Sequence, residues 1–279
     1  MPTDHTTNGG PVLEVSGLRL STEDGTELVK GVSFTVHHGQ TLGIVGESGS
    51  GKSLTCRAIL GILPDGLAVT SGSIRFGRHE LTAFEPKDWR PLRGSRISAV
   101  FQDPASYLNP SLTVGNQLSE ALRATLGMSR KAAKTRGLEL LRHLGLHDAD
   151  AVYRQYPFEL SGGMLQRVLI AIAVSASPEL LIADEATTAL DVTVQAEVLD
   201  LLEDLQTELG LALVLVSHDL AVVAQACDHI IVMRDGHIVE AGPTAQVLTQ
   251  PSHPYTRLLV ENHHRFGIER FLTKEESLA

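Results

Sequence analysis

The run "GESGSGKS" at residues 46–53 restricts the fold of this chain more than any other feature. It satisfies the pattern G-x-x-x-x-G-K-[ST], and it lies between an apolar run that predicts a strand and a run that predicts a helix. In that setting glycines let backbone N–H groups wrap phosphates at a helix N-terminus. Lys52 then reaches the β- and γ-phosphates, and the Ser53 hydroxyl binds Mg²⁺. The alternative is an ordinary glycine turn. The residues that we expect to contact nucleotide are Gly46, Glu47, Ser48, Gly49, Ser50, Gly51, Lys52 and Ser53.

Polar residues follow two other apolar runs. "LLIAD" predicts a buried strand and ends in Asp184, with Glu185 next, while His218 follows the run "LALVLVS". Ligands of open α/β sheets bind at the carboxyl ends of the strands. Asp184 fits the acid that holds Mg²⁺ through water, and Glu185 is the candidate general base for the attacking water. The alternative is a solvated acid pair and a structural histidine.

The order of predicted elements indicates an α/β body that contains an inserted helical lobe. β-branched runs at 12–20 and 26–36 predict antiparallel strands joined by the turn "EDG". From about residue 105 the runs become helical, and we predict no further strand until after residue 176. Strands and helices then alternate again. We predict a helix over 193–209 and a nearly all-apolar, buried helix from residue 162.

Charge and composition exclude several classes of protein. The 279 residues suit one large domain or a core with a smaller lobe, and the net charge of −10 argues against binding to nucleic acid or anionic lipid. The two cysteines, Cys56 and Cys227, are far apart, which favours a reducing, cytosolic compartment. No run approaches the roughly 20 apolar residues of a membrane helix. Residues 1–10 lack the features of a targeting peptide, and we expect a short disordered lead-in there.

A second glycine-rich turn, "ELSGGMLQR" at 159–167, has a serine and two glycines but no lysine after them. With it, in order along the chain, come "FQD" at 101–103, "TALD" at 188–191 and "SHD" at 217–219. This set resembles the ABC ATPase family over residues 11–250, and "LSGGMLQR" is similar to its signature motif. The resemblance implies an α/β fold: a P-loop NTPase core with an antiparallel β subdomain and an inserted helical subdomain at about 105–160. Residues 251–279 would then form a C-terminal tail.

The resemblance also implies why the second turn lacks a lysine. In the family, two ATPase domains pack head to tail, and each nucleotide lies between the phosphate loop of one and the signature of the other. Ser161 and the N–H groups of Gly162 and Gly163 would then hold the γ-phosphate of a nucleotide bound to the partner chain, at a helix N-terminus. The further site residues carried over are Gln102 (Mg²⁺ and sensing of the membrane partner), Gln166 (nucleotide), Asp191 (link between the two halves) and His218 (γ-phosphate).

Two positions depart from the family pattern. Family members usually stack adenine on an aromatic residue near the position of Thr22, but no Phe, Tyr or Trp lies between Pro11 and Val32. Base–aromatic stacking contributes about 1–3 kcal/mol of binding free energy in related settings. The sequence offers no candidate for this contact, so the residue that recognises adenine is not identified. Ala186 stands where the family usually has proline. Because both acids before it are present, we expect a small effect.

Two further stretches resemble the peptide/nickel importer branch of the family: "YPFELSGGMLQRV" and "PSHPYTRLL". Within that branch, "GSGKSLTC", "LGILP" and "GGMLQR" are most similar to the ATP-binding subunits of nickel importers. Many peptide-type members continue into a cysteine-rich tail, which this sequence lacks, and this favours nickel or a metal chelate as the solute. A dipeptide or oligopeptide importer is the alternative. His253, His263 and His264 would suggest metal binding, but solvated polar residues are the more common reading.

The resemblance to importer ATPases implies particular partner subunits and a location in the cell. The partners are a second ATPase subunit (favoured to be a sister chain), two membrane-spanning permeases and, indirectly, a solute-binding protein. The chain would then lie peripherally on the cytoplasmic face of the inner membrane. A non-transport ABC ATPase of DNA repair or translation is a different class, but the chain shows neither sustained heptads nor a second cassette. A GTPase or small-molecule kinase would have no use for the signature, and the guanine-reading motif N-K-x-D is absent.

Overall fold

A computed structural model of the chain describes residues 10–186 and 191–264. Within them the strands form two sheets, with the order β2-β1-β4-β5 in one and β10-β9-β3-β8-β7-β6 in the other. The strands are β1 (Leu13–Thr22), β2 (Glu27–Val36), β3 (Thr41–Val45), β4 (Leu67–Phe76), β5 (His79–Glu80), β6 (Ile97–Phe101), β7 (Leu180–Asp184), β8 (Ala212–Ser217), β9 (His229–Arg234) and β10 (His237–Pro243).

The larger sheet is parallel except at one edge. β6, β7, β8, β3 and β9 run in the same direction, and β10 pairs with β9 in antiparallel fashion through a turn at Asp235 and Gly236. Every residue of β3, β7 and β8 is buried, which explains why these strands are continuous apolar runs without alternation. Because the strands are parallel, the residues that follow β3, β7 and β8 meet at one edge of the sheet. This edge carries the phosphate loop, Glu185 and His218.

Helices cover the sheet and form the lobe predicted from the sequence. They are α1 (Lys52–Ile59), α2 (Pro86–Trp89), α3 (Pro104–Tyr107), α4 (Val114–Leu126), α5 (Arg130–His143), α6 (Ala149–Arg154), α7 (Gly162–Val174), α8 (Val192–Leu209), α9 (Leu220–Ala226), α10 (Thr244–Thr249) and α11 (Pro254–His264). α4, α5 and α6 contact one another and form a helical lobe with no strand between β6 and β7. The hydroxyls of Thr113 and Ser129 cap α4 and α5 by accepting backbone N–H groups.

Two apolar clusters make up the core. One lies between the antiparallel sheet, α1 and one face of the parallel sheet, and includes Leu13, Ile59 and Phe76. The other lies on the opposite face and continues into the helical lobe, so that Leu118 on α4 and Val168 on α7 belong to the same cluster. Because α7 packs against the lobe as well as the sheet, its burial on most sides agrees with its nearly all-apolar sequence.

Two element boundaries differ from the sequence-based expectation. α1 ends at Ile59 rather than at about residue 63, because Gly61 adopts a left-handed φ of 63° and the N–H groups of Gly61 and Ile62 donate back to the carbonyl oxygens of Ala58 and Arg57, as in a Schellman motif. The segment from residue 251, expected to be a tail, begins as packed structure: Tyr255 and Val260 on α11 are buried in the larger core cluster. That packing needs partners on α9, which no local pattern near residue 254 reveals.

Several sequence-based expectations concern residues outside the described part of the chain. These are the lead-in at 1–9, the "TAL" of the "TALD" run at 188–190, and the remainder of the tail from residue 265. The side chains of His263 and His264 also lie outside it. Among the helices that are described, none has the length and apolar character needed to cross a membrane.

Candidate nucleotide-binding site

The phosphate loop joins β3 to α1 as the sequence predicts. At Gly46 the loop passes so close to β9 that a Cβ atom would lie 2.1 Å from the carbonyl oxygen of Met233, so no other residue fits without a shift of backbone. Glu47, Ser48 and Gly49 are exposed, while Ser50, Gly51 and Lys52 are buried and Ser53 is half-buried. The loop therefore presents residues 47–49 to solvent, while Gly46 packs against β9 and residues 50–52 are anchored at the start of α1.

Lys52 is held inside its own loop. Its Nζ donates to the carbonyl oxygens of Gly46, at 2.7 Å, and Glu47, at 2.9 Å, and the residue is only 4% exposed. Burial lowers the pKa of Lys52, and the charges of Glu185 and Asp184 partly oppose this. The two carbonyls thus hold the ammonium group within the loop.

Ser53 and Asp184 form an oxygen pair beside the loop. The Ser53 hydroxyl donates to Oδ1 of Asp184 at 3.0 Å, and burial raises the pKa of Asp184, which is 5% exposed. Hydroxyl and carboxylate oxygens suit Mg²⁺, which protein sites usually bind through one or two carboxylates together with substrate phosphates and water. No cluster of three His, Cys, Asp or Glu side chains within 10–186 and 191–264 would hold a metal ion unaided. The Ser53–Asp184 pair therefore fits a Mg²⁺ ion shared with a nucleotide.

Glu185 has a backbone conformation that is rare for its residue type. Its φ angle is 52°, in the left-handed region, and its N–H donates to the carbonyl oxygen of Val216 on β8. Such strain persists only where the surrounding structure imposes it, and it is concentrated at functional sites. Oε1 of Glu185 lies 3.7 Å from Nδ1 of His218, whose side chain is 52% exposed. The sheet thus brings together an acid and a histidine that are separated by 33 positions along the chain.

The predicted residues of the phosphate loop share cavities with the predicted acids. One cavity of about 390 Å³ is lined by Ser48, Ser53, Gln102, Asp184 and Glu185, and a second of about 470 Å³ by Gly46, Gln102, Glu185 and His218. Gln102 is exposed and lines both. The structure therefore brings all of these predicted residues to one site.

Sequence reasoning missed several residues of these cavities. Arg57 and Tyr107 line the first, and the Tyr107 ring stacks on Phe101 with 4.8 Å between centroids. Leu259 on α11 lines the second, and the Tyr255 hydroxyl accepts the N–H of Glu47 at 3.0 Å. The only signal for the last two was the run "PSHPYTRLL", which indicated a family branch but no contact with the loop.

The signature residues lie at the exposed start of α7. Ser161 is the N-cap residue, and its hydroxyl accepts the N–H of Met164 at 3.4 Å. Ser161 and Gly162 are exposed and Gly163 is half-buried. None of the three lines the cavities described above. The start of this helix, where backbone N–H groups have no partner within the helix, therefore lies outside the cavities beside the chain's own phosphate loop.

The start of α7 is fixed to α8. A Cβ atom on Gly163 would lie 2.7 Å from Cγ1 of Val194, so the two helices meet closely there. The Arg167 guanidinium donates to Oε2 of Glu197 at 2.7 Å and to the carbonyl oxygen of Leu144 at 2.8 Å. Asp191 caps α8 by accepting the N–H of Val194 at 3.0 Å. Signature and Asp191 thus belong to one packed unit.

Gln166 does not share this exposed position. It is 1% exposed, and its Nε2 is buried without a hydrogen-bond partner among the described residues. Five positions after Ser161 on an α-helix, a side chain points about 140° away around the axis. The side chain therefore lies within the protein, and its contact with nucleotide stays a prediction.

Fold and site together define a class of protein. A phosphate loop between a buried parallel strand and a helix, with acidic residues at the end of another parallel strand two places away in the sheet, is the arrangement of a P-loop nucleotide-binding protein. A sequence model of the family described as "ABC transporter" matches residues 29–188. The chain therefore belongs to the ABC transporter family, and it is an ATPase that binds ATP and couples its hydrolysis to transport.

Individual proteins show the same likeness. The dipeptide transport ATP-binding protein DppD of Bacillus subtilis is 47% identical over 92% of this chain and 78% of that protein. The oligopeptide transport ATP-binding protein AppD of the same organism is 44% identical over 89% and 77%. Among solved structures, cbiO1 of Clostridium perfringens, part of the ABC transporter complex cbiONQ, has a TM-score of 0.75 and 28% identity over 86% of this chain and 91% of that one.

A dimeric structure extends the comparison. The ATP-binding cassette MJ0796, described as a post-hydrolysis state bound to ADP and Pi, has a TM-score of 0.74 and 27% identity over 83% of this chain and 98% of that chain. These likenesses confirm the predicted ABC ATPase fold, with its antiparallel sheet beside a mainly parallel one.

Proposed function

We propose that this chain is the ATP-hydrolysing subunit of an importer for dipeptides or short oligopeptides. The observation that carries the proposal is the set of similar proteins: relatives 42–47% identical over 84–94% of the chain are named as dipeptide, oligopeptide or peptide transport ATP-binding proteins. As a subunit of this kind, the chain would work peripherally on the cytoplasmic face of the membrane, with a second ATPase subunit, two permeases and a solute-binding protein.

Nickel or a metal chelate, which the sequence motifs favoured as the solute, has less support. Eight relatives that are 42–47% identical to this chain are all named for peptide, dipeptide or oligopeptide transport, and none of these eight carries a nickel name. His253, one of three histidines weighed as a metal ligand, has a structural role, since its Nδ1 accepts the N–H of Tyr255 and its own N–H donates to Glu240. The peptide alternative is therefore the better proposal.

The site residues would act on ATP as follows. Lys52 and the N–H groups of the phosphate loop bind the phosphates, and Glu185 accepts a proton from the attacking water. His218, 3.7 Å from Glu185, contacts the γ-phosphate. The support for these roles is that the side chains share cavities with the loop.

Mg²⁺ would be held by Ser53, Gln102 and Asp184. When bound, the ion neutralises charge on the phosphates as the terminal phosphoryl group leaves. The support for this assignment is the pairing of the Ser53 hydroxyl with Asp184 and the position of Gln102 in the same cavity. Asp184 contributes its buried carboxylate, whose charge an adjacent cation would stabilise.

A second ATPase subunit would complete the site. Ser161 and Gly162 are exposed and Gly163 is half-buried at the start of a 13-residue helix, and none of the three lines the cavities beside the chain's own loop. A helix start attracts anions because its N–H groups are unpaired and its dipole is positive there. We infer that these groups hold the γ-phosphate of a nucleotide on the partner subunit, with Asp191 at the same interface.

Deletion of the gene for this chain should abolish uptake of a labelled dipeptide by cells that carry the complete transporter. Uptake should return with the wild-type gene but not with Lys52→Ala, because that variant loses the ammonium group that contacts the phosphates. Uptake of radioactive nickel, measured in the same cells, should not change. Loss of nickel uptake with intact dipeptide uptake would overturn the peptide assignment in favour of the metal.

The helical lobe should dock a permease. It lies between Gln102, which would contact the chain's own nucleotide, and Ser161, which would contact the partner's nucleotide. A movement of the lobe can therefore signal to the membrane subunits whether ATP or ADP is bound. The lobe carries a cleft of about 870 Å³ whose lining includes Arg123, Lys131 and Lys134, a basic surface on an otherwise acidic chain. A photo-crosslinking residue at position 131 should capture a permease in the assembled transporter.

Position 87 provides the matched control for this crosslinking experiment. Lys87 is also an exposed lysine, but it lies in α2, outside the helical lobe. The same photo-crosslinker there should capture little or no permease. Capture at position 87 but not at position 131 would contradict the docking assignment.

A further inference from the structure

The C-terminal helix α11 reaches the phosphate loop through a single side chain. The hydroxyl of Tyr255 accepts the backbone N–H of Glu47 at 3.0 Å, although the two residues are separated by 208 positions along the chain. Tyr255 is 2% exposed and has no part in the chemistry described above. This contact links the run "PSHPYTRLL" to the nucleotide site.

The peptide unit that Tyr255 contacts is the one that holds Lys52. A peptide unit is planar, and the C=O of one residue and the N–H of the next belong to the same plane. The N–H of Glu47 and the C=O of Gly46 are such a pair. Tyr255 binds this unit on its N–H side, and Nζ of Lys52 binds it on its C=O side at 2.7 Å. Fixing the direction of the N–H therefore fixes the direction of the carbonyl that positions the lysine.

Tyr255 is itself held from several sides. The guanidinium of Arg234, at the end of β9, lies over its ring with 4.8 Å between Cζ and the ring centroid. Before the helix, the carboxylate of Glu240 accepts the N–H groups of Ser252, at 2.7 Å, and His253, at 3.0 Å. The segment that carries Tyr255 is thus tied to β10 at its start, and the hydroxyl has a defined position relative to the loop.

We infer that Tyr255 is a positioning residue for nucleotide binding: it holds the Gly46–Glu47 peptide unit in the orientation that places Lys52 for the phosphates. α11 is then a strap across the phosphate loop. The strap also brings Leu259 to the wall of the cavity that contains His218 and Glu185. This role does not depend on which solute the transporter carries, so it stands apart from the peptide assignment.

Tyr255→Phe tests the inference because it removes one oxygen and keeps the ring. Without the hydroxyl, the Glu47 N–H loses its partner and the loop is less restrained. We expect the full-length chain to bind the non-hydrolysable analogue AMP-PNP with Mg²⁺ about three- to tenfold more weakly in calorimetry. The KM for ATP should rise by a similar factor, with kcat within about twofold, because Glu185 is unchanged.

The matched control is Tyr153→Phe. Its hydroxyl bonds to Ser119 Oγ at 2.5 Å in the helical lobe, so the same atom is removed from a hydrogen bond away from the phosphate loop. We expect that variant to keep wild-type affinity for the nucleotide, with thermal unfolding recorded for both variants. Unchanged affinity and KM in Tyr255→Phe would overturn the inference. So would equal losses in both variants, because these would indicate a general effect on stability.

Discussion

Glu185→Gln is expected to lower ATP hydrolysis at least about 100-fold while ATP still binds with nearly wild-type affinity. The carboxylate is placed to accept a proton from the attacking water, and general base catalysis typically contributes about 10²–10⁴-fold. An amide of the same shape cannot accept that proton. Binding depends instead on Lys52, Ser53 and the N–H groups of the loop, none of which the substitution touches. Phosphate release under saturating ATP measures the first quantity and calorimetry the second.

Glu203→Gln is the matched control, because it makes the same chemical change on the exposed side of α8. It should hydrolyse ATP at the wild-type rate. If Glu185→Gln turns over within a few-fold of wild type, Glu185 is not the base. If the variant instead loses ATP binding, the carboxylate is needed for nucleotide binding rather than for catalysis.

Ser161→Arg is expected to leave this chain's own ATP affinity unchanged and to stop turnover at the partner's nucleotide. Ser161 is exposed at the start of α7 and does not line the cavities of the phosphate loop. A long cationic side chain there would keep the interface between two ATPase subunits from closing, and a misplacement of about 1 Å can cost 100-fold in rate. Trapping of a labelled nucleotide with vanadate, followed by separation of the two subunits, shows which site has turned over.

Two further variants make this experiment decisive. Ser129→Arg changes the N-cap serine of α5, whose hydroxyl accepts the N–H of Ala132, and so controls for the loss of a helix cap. Lys52→Ala should do the reverse of Ser161→Arg: it loses its own nucleotide and still offers a working signature to the partner. Loss of nucleotide binding in the isolated, folded Ser161→Arg chain would mean that the turn serves its own loop, and the head-to-tail arrangement would be wrong.

Much of the site was predictable because it is built at the ends of strands. The phosphate loop, Asp184 and Glu185 each follow an apolar run, and parallel strands bring their carboxyl ends to one edge regardless of the distance along the chain. The start of α7 at Gly162 was predictable for a similar local reason, since Ser161 is a good N-cap and apolar residues follow. The roles of Gln102, Asp191 and His218 were inferred from the family resemblance, because the residues around them do not indicate these roles.

Other features depend on contacts that no local pattern encodes. Gln166 belongs to the signature run by sequence, but the packing of α7 against sheet and lobe buries it. Glu185 adopts a left-handed backbone because its N–H bonds to β8, a neighbour in space rather than in sequence.

Short motifs were enough to predict a P-loop ATPase of the ABC family from the sequence, because the geometry of each motif is local: strand, glycine turn, helix start. Which of those residues lie together depends on the packing of the whole fold. It joined the phosphate loop to Glu185 and His218 in one cavity, kept the signature on a separate outward surface, and brought Tyr255 from α11 to Glu47. Contacts of this kind depend on how buried surfaces pack in three dimensions, and side-chain packing has no fixed spacing along the chain.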